Sequence, residues 1–163
     1  MRARVENPGE APYNSDVAAT PHRTFIVTAS FDPATAGWQK VKAGAFLETI
    51  GPIWRRSDNG RLLCGLVVTG KHTNTGGFTH GGVLTTLLDS ALGLASADAQ
   101  GSHQQATIGL NVQFLAPVRV GDFITVECEV VKATRTLMFM QGTLRAGDNI
   151  CATAQGTWKI LRR

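Results

Sequence analysis

A long apolar helix that follows a glycine-rich loop constrains the fold of this chain most strongly. Residues 74–97 read NTGGFTHGGVLTTLLDSALGLASA, and Asp89 is the single charged side chain in this run. At 100° per residue the large apolar side chains fall on one broad stripe. Asp89 points away from that stripe, toward small or hydroxylic neighbours: Gly82, Thr85, Gly93 and Ser96. A lone carboxylate on such a face is either solvated or placed there for chemistry, and the spacing alone leaves both readings open.

Strand-like segments account for most of the remaining chain. Arg61–Thr69 precedes the helix, and four segments separated by turn residues follow it: Gln105–Leu115, Phe123–Thr134, Leu137–Arg145 and Ile150–Leu161. The short spacing between successive turns predicts an antiparallel meander. One helix covers such a sheet only if the sheet curves around it or a partner covers the rest. We therefore predict an α+β fold in which a curved antiparallel β-sheet wraps around a long central helix.

The N-terminal part of the chain divides at residue 23. Residues 1–23 read as an arm, since Met1–Pro21 is rich in Pro, Gly, Asn and Ala and has no periodicity. Residues 24–163 read as one domain, because about 140 residues bury a core of their own. That domain is expected to begin with a short strand, Thr24–Ala29.

An N-terminal helix is predicted after this strand. Asp32 and Pro33 have the character of an N-cap and a first helical position, which places the helix at about Ala34–Leu47. Gly51-Pro52 then interrupts the chain.

Composition and charge exclude several classes of protein. No apolar run reaches the roughly 18–20 residues of a membrane span, so no membrane span is expected. The three cysteines lack metal-site spacing and indicate reduced, buried thiols in a cytoplasmic protein. The net charge of +4 comes from scattered Lys and Arg, which argues against nucleic acid and suits a small phosphorylated anion.

The glycine-rich loop does not match the common phosphate or nucleophile motifs. Gly77 and Gly82 have P-loop spacing, but Val83 and Leu84 stand where that motif needs Lys and Ser or Thr. No GxGxxG or GxSxG run is present. His72 and His80 are eight residues apart without a third ligand nearby, so no metal is expected. His80 is left with two roles, a general base or, more in keeping with its place, a residue that fixes the loop.

Two spaced patterns stand in the loop, the helix and the segments that follow. The first is N-x2-G-x2-HGG-x6-D, and the second lies downstream. Their residues are Asn74, Gly77, His80, Gly81, Gly82, Asp89, Thr107, Asn111, Phe114, Pro117, Gly121, Asp122, Arg135, Gly142 and Gly156. Together they resemble the signature of hotdog-fold thioesterases, in particular the phenylacetate-degradation (PaaI-like) acyl-CoA thioesterases of the 4-hydroxybenzoyl-CoA thioesterase superfamily. The resemblance covers residues 60–161.

The resemblance implies a role for each site residue. Asp89 would activate water or attack the thioester carbonyl, and the Gly81 N–H would polarise that carbonyl. Asn74 would orient the water or thioester, and Thr107 would assist across a dimer interface. His80, Gly82 and Phe78 would contact the substrate. Arg119 and Arg135 are candidates for the coenzyme A phosphates, because guanidinium groups bind phosphate well.

The resemblance also implies the hotdog fold, hydrolysis of an acyl-CoA or aryl-CoA without a cofactor, and sites shared between two chains. It implies a homodimer and favours a dimer of dimers. Two alternatives stay open at this point. One is a hydratase or dehydratase acting on acyl thioesters, for which no catalytic His in the right helix context is found. The other is a non-catalytic acyl-CoA-binding module, which should lack the carboxylate that Asp89 supplies.

Overall fold

The fold is one curved antiparallel sheet with a long helix on its concave face. A computed structural model describes residues 31–42 and 44–161. Within these residues the sheet runs in the order β1-β2-β3-β5-β6-β7-β4. Its strands are β1 (Gln39–Lys40), β2 (Ile53–Asp58), β3 (Arg61–Val67), β4 (Gln105–Phe114), β5 (Phe123–Ala133), β6 (Leu137–Ala146) and β7 (Asn149–Ile160). The helices are α1 (Ala45–Ile50) and α2 (Gly81–Gln100), with a 3-10 turn at Gly70–His72.

Helix α2 forms the centre of the hydrophobic core. It contacts five strands, β3 to β7, so the sheet curves around it as predicted. The stripe predicted from the 3.6-residue period is buried: Leu84, Leu87, Leu88, Ala91 and Leu92. A Cβ on Gly142 of β6 would lie 3.0 Å from a Leu92 methyl group, so this glycine allows the sheet to approach the helix closely.

The N-terminal helix is present but is much shorter than predicted and begins later. Asp32 does cap the segment, since its Oδ1 accepts a hydrogen bond from the Ala34 N–H. The capped segment forms a turn and not a helix, because Gly37 takes a φ of +79° and the chain then enters β1. Trp38 then packs edge-on against Phe123, with ring centroids 5.0 Å apart. The prediction of a helix over 34–47 was wrong; α1 covers Ala45–Ile50.

The sequence reading missed strand β2. Arg55 and Arg56 interrupt its apolar character, but strand alternation sends them to opposite faces. Arg55 lies 3.7 Å from the Asp98 carboxylate of α2, and Arg56 lies over the Trp38 ring at 4.7 Å. Asn59 and Gly60 both have positive φ and close the β2–β3 hairpin.

The strands after α2 do not form a simple meander. β5, β6 and β7 are consecutive neighbours, as predicted, but β4 pairs antiparallel with β7 at the edge of the sheet. The predicted arm over residues 1–23 and strand Thr24–Ala29 lie outside the described residues. No helix within the described ranges is long and apolar enough to cross a membrane.

Candidate active site

The loop before α2 is shaped by the side chain of Asn74. Its Oδ1 accepts hydrogen bonds from the backbone N–H groups of Gly76 at 2.9 Å and Phe78 at 3.2 Å. The Asn74 N–H donates to the Phe78 carbonyl at 2.8 Å, and Gly77 takes a φ of +77°. Because the side-chain oxygen is committed to the loop, the Nδ2 amide group is the part of Asn74 that can serve a substrate.

His80 is the N-cap of α2. Its Nδ1 accepts a hydrogen bond from the Gly82 N–H at 2.9 Å, and its own N–H donates to the His72 carbonyl at 2.8 Å. An accepting Nδ1 carries no proton, so the neutral ring keeps its proton on Nε2. A Cβ on Gly82 would lie 2.9 Å from that Nδ1, which explains the glycine. Of the two roles left open for His80, the structure supports fixing the loop.

Gly81 is the first residue of α2 and presents a backbone donor. The first N–H groups of a helix have no partner within it. His80 takes the Gly82 N–H on its side chain and the Val83 N–H on its carbonyl. The Gly81 N–H has no acceptor among residues 31–42 and 44–161. It therefore remains available at the positive end of the helix dipole, where a developing oxyanion is stabilised.

An open cavity of about 410 Å³ lies beside Gly81. Most of its lining is apolar, and the ring of Phe114 lies 3.2 Å from where a Gly81 Cβ would be. The lining residues are Thr79, Gly81, Leu84, Phe114, Leu115, Ala116, Pro117 and Val118. This composition suits the hydrocarbon part of a small molecule.

Asp89 and Thr107 are brought together within one chain. Thr107 Oγ1 donates a hydrogen bond to Asp89 Oδ1 at 2.9 Å, linking β4 to the middle of α2. The carboxylate is half-buried and Thr107 is exposed. One carboxylate oxygen is thus held in place while Oδ2 stays free for a proton or for a bond to substrate carbon.

A β-bulge in β4 makes this contact compatible with the core. Thr107 pairs with Trp158 and Gly109 with Thr157, so Ile108 is an extra residue in the strand. Before the bulge, Gln105 and Thr107 face α2; after it, Leu110 and Val112 pack against the core. The bulge therefore changes which residues face inward, and it directs Thr107 at Asp89. The strict alternation assumed from sequence could not show this.

The two halves of the predicted site do not meet within one chain. Gly81 and Asp89 are eight residues apart on α2, which corresponds to roughly 12 Å along the axis and about 80° around it. A single thioester carbonyl cannot contact both groups over that separation, since each must approach within roughly 3 Å.

The predicted phosphate contacts are also divided. The Arg119 guanidinium lies 4.9 Å from the centre of the Phe78 ring, beside the loop that precedes Gly81. Asp122 fixes the turn that carries Arg119, because its Oδ2 accepts the Arg119 N–H at 2.8 Å. Arg135 lies in the β5–β6 turn, near the start of β4, whereas Arg119 follows the end of β4. Arg119 and Arg135 therefore do not form one cluster.

The structure provides neither a metal site nor a cysteine nucleophile in its described part. No group of three His, Cys, Asp or Glu residues is placed to hold a metal within those residues. Burial raises the pKa of the Cys64 thiol to about 12 and also raises the pKa values of Cys128 and Cys151. All three thiols are buried and free. Asp89, whose Oδ1 is held by Thr107, is the candidate reactive group that the geometry positions.

Sequence reasoning missed two features that position the site. Ser96 was expected on the open face beside Asp89, but it is fully buried and donates to Gln105 Oε1 at 2.6 Å. His72, considered only as a metal ligand, is buried and bonds to the Ile50 carbonyl. Gln105 stands two residues before Thr107, and residues two apart in a strand point to the same face. This period could have indicated from the sequence that Gln105 faces α2 together with Thr107.

Comparison with known proteins defines the class. The model of the thioesterase superfamily matches residues 76–153. A Pseudomonas aeruginosa protein named "Putative esterase PA0474" is 35% identical over 121 residues, which cover 73% of this chain and 90% of that one. The chain belongs to the thioesterase superfamily, and its architecture is the hotdog fold. Hydrolysis of thioesters is the class of reaction that this membership supports.

More specific relatives fall within the same class. Mouse acyl-coenzyme A thioesterase 13 is 29% identical over 79 residues, which are 48% of this chain and 56% of the mouse protein. The solved structure of the conserved protein PA5202 from Pseudomonas aeruginosa has a TM-score of 0.65 and 28% identity, covering 73% of this chain and 95% of that one. The Escherichia coli PaaI protein, from the phenylacetic acid degradation operon, shares the fold at a TM-score of 0.64 and 22% identity. The match covers 73% of this chain and 86% of the PaaI chain.

Proposed function

We propose that this protein hydrolyses an acyl-CoA or aryl-CoA thioester to the free acid and coenzyme A, with Asp89 as the reactive carboxylate. The observation that carries the proposal is the hydrogen bond from Thr107 Oγ1 to Asp89 Oδ1, which orients a half-buried carboxylate on an otherwise uncharged stretch of helix. Membership of the thioesterase superfamily and the mouse acyl-coenzyme A thioesterase among its relatives support the same reaction.

The proposed reaction needs only water and the thioester. Asp89 takes a proton from water as the oxygen attacks the thioester carbonyl, and the oxyanion accepts a hydrogen bond from a Gly81 N–H. Collapse of the intermediate breaks the carbon–sulfur bond, and the proton held by Asp89 passes to the leaving thiolate. One such backbone donor contributes roughly 2.7–4 kcal/mol to transition-state stabilisation. Direct attack by Asp89 followed by hydrolysis of the anhydride is the second route to the same products.

The separation of Gly81 from Asp89 supports a site shared by two copies of the chain. If two α2 helices pack antiparallel about a twofold axis beside Thr85, Gly81 of each copy faces Asp89 of the other, because residue 85 is midway between them. The face around Thr85 has small side chains, and the Thr85 hydroxyl is already bonded to the Gly81 carbonyl at 3.0 Å. We therefore propose a homodimer as the smallest active form, and a dimer of dimers as the larger assembly.

The substrate contacts follow from the same arrangement. The apolar cavity beside Gly81 would take the acyl or aryl group, and Asn74 Nδ2 would face the thioester or the water. Arg119, stacked on Phe78, would bind a coenzyme A phosphate. His80 and Gly82 would contribute by holding the Gly81 N–H in place. No cofactor is needed, and a cytoplasmic location is proposed from the reduced cysteines.

A panel of acyl-CoA thioesters tests this function. Short, medium, long and aromatic acyl-CoAs are incubated with the protein, and release of the coenzyme A thiol is followed. Asp89→Asn keeps the size of the side chain and is expected to lower turnover about a hundredfold or more, with unchanged thermal unfolding. Wild-type turnover by Asp89→Asn would contradict the role of Asp89. Binding without turnover by the wild-type protein would favour a binding module instead.

A further inference from the structure

A polar network lies one helical turn beyond Asp89, between α2 and the start of β4. Gln105 is at its centre. Gln105 Oε1 accepts hydrogen bonds from Ser96 Oγ and from Gln100 Nε2, both at 2.6 Å, and Gln105 Nε2 donates to the Gly93 carbonyl. Ser96 is fully buried. Because hydrogen bonds that are shielded from water hold their geometry strongly, this network ties β4 to α2 at a defined position.

The network is in register with the candidate catalytic pair. Gly93 follows Asp89 by four residues, so the two lie on the same side of α2. Gln105 precedes Thr107 by two residues, so both side chains point from β4 toward the helix. The contacts Gln105–Gly93 and Thr107–Asp89 are therefore two successive cross-links between the same strand and the same helix.

Strand β4 depends on such cross-links more than the central strands do. Within the described residues it is an edge strand that pairs with β7 alone. Its ladder is interrupted at Ile108, directly after Thr107. Backbone hydrogen bonds thus hold this part of β4 along one edge only, and the side-chain bonds of Gln105 and Thr107 to α2 hold its inner face. The close approach at Gly93, where a Cβ would lie 3.4 Å from Trp158 Nε1, lets Gln105 reach the helix carbonyl.

From these contacts we infer that Gln105 is a positioning residue for hydrolysis: it fixes β4 against α2 so that the Thr107 hydroxyl holds Asp89 Oδ1. This inference rests on the proposed function. Gln105 does not touch the substrate and acts through Thr107. Loss of its bonds lets Thr107 move relative to Asp89, and a misplacement of about 1 Å is sufficient to lower a catalytic rate strongly.

The test combines Gln105→Met with Thr107→Val. Methionine has a similar length and shape but can replace none of the three hydrogen bonds. Gln105→Met is expected to lower kcat about tenfold or more with little change in KM, because binding contacts are kept while orientation is lost. In the Thr107→Val background the same substitution should cause no further loss, because the hydroxyl through which it acts is already gone. Gln104→Met, the same change on the exposed neighbour, should leave kcat unchanged.

Two outcomes overturn the inference: wild-type kcat in Gln105→Met, or an equal fold-loss from this substitution in both backgrounds. If Gln105→Met does not fold, Ser96→Ala, which removes one donor to Gln105, is measured in the same two backgrounds with the same expectations. If the wild-type protein hydrolyses no thioester, the proposed function fails. Positioning is then read from crystal structures: a lengthened Thr107–Asp89 contact in Gln105→Met supports it, and an unchanged contact contradicts it.

Discussion

His72 Nε2 lies 2.7 Å from the Ile50 carbonyl oxygen, and this contact joins the loop before α2 to the end of α1. His72 Nδ1 accepts the Thr69 N–H at 2.9 Å, so both ring nitrogens are used and Nε2 carries the proton. The His72 carbonyl in turn accepts the N–H of His80, the cap of α2. Through its ring and its own carbonyl, one buried histidine therefore connects three segments of backbone around the candidate site.

Replacement of His72 is expected to destabilise the protein. His72→Ala removes two buried hydrogen bonds and leaves a cavity, which should lower the free energy of unfolding by about 2–4 kcal/mol. Denaturant unfolding measures this loss. His103→Ala changes an exposed histidine and should stay within about 0.5 kcal/mol of wild type. Equal stability of the two variants would show that the His72 contacts contribute nothing.

The role of the Gly81 backbone can be tested by removing its N–H alone. Proline is well tolerated at the first position of a helix, and the preceding His80, with ψ of 133°, already has the backbone conformation that proline requires. Gly81→Pro should fold and lower kcat by roughly 10²–10³-fold, the typical effect of losing an oxyanion donor. Gly81→Ala adds the same Cβ near Phe114 but keeps the N–H, and should retain most activity. Equal losses in both variants would assign the effect to crowding at Phe114.

A shared site predicts complementation between two inactive variants. Asp89→Asn and Gly81→Pro are each expected to be inactive as homodimers. In a mixed dimer, Asp89 of one chain meets Gly81 of the other and forms one intact site. Unfolding and refolding an equal mixture should therefore restore about a quarter of wild-type activity per chain under random pairing. Activity no greater than the sum of the separate variants would show that each site lies within one chain.

The cysteines predict a dependence of stability on alkaline pH. Burial raises the pKa of Cys64 to about 12 in the folded protein, whereas its ordinary value is 9.0. Above pH 9 the unfolded chain therefore releases protons that the folded chain keeps, and stability falls as pH rises toward 12. The slope is about 1.4 kcal/mol per pH unit for each such thiol. Denaturant unfolding at pH 8 to 11 measures it, and Cys64→Ala should reduce the slope.

The loop, the central helix and most of the face that carries Asp89 followed from local sequence, but Ser96 of that face is buried. The glycine-rich loop and the 3.6-residue period describe α2 well, and Gly101 ends the helix in the left-handed conformation. The N-terminal helix was overestimated because the Asp32 cap is a local signal, whereas the packing of Trp38 on Phe123 is a tertiary one.

Long-range pairing accounts for most of what the sequence did not show. No local pattern indicates that β4 pairs with β7, or that an extra residue at Ile108 changes which side chains face inward. Thr107 was assigned by resemblance, and its hydrogen bond to Asp89 of the same chain became visible only in the fold. Asn74 was assigned to the substrate, yet its oxygen is occupied by its own loop. Both partners of Asn74 lie within four residues, so a local turn, and not a long-range contact, uses this oxygen.

The burial of all three cysteines has a consequence for a protein that handles activated acyl groups. Thioesters exchange readily with ionised thiols. An exposed thiolate near bound substrate would therefore become S-acylated, in competition with hydrolysis by water. Cys64, Cys128 and Cys151 are hidden in the core, and burial keeps their thiols protonated. The chain therefore offers a thioester no sulfur acceptor of its own, and it avoids self-acylation by its fold.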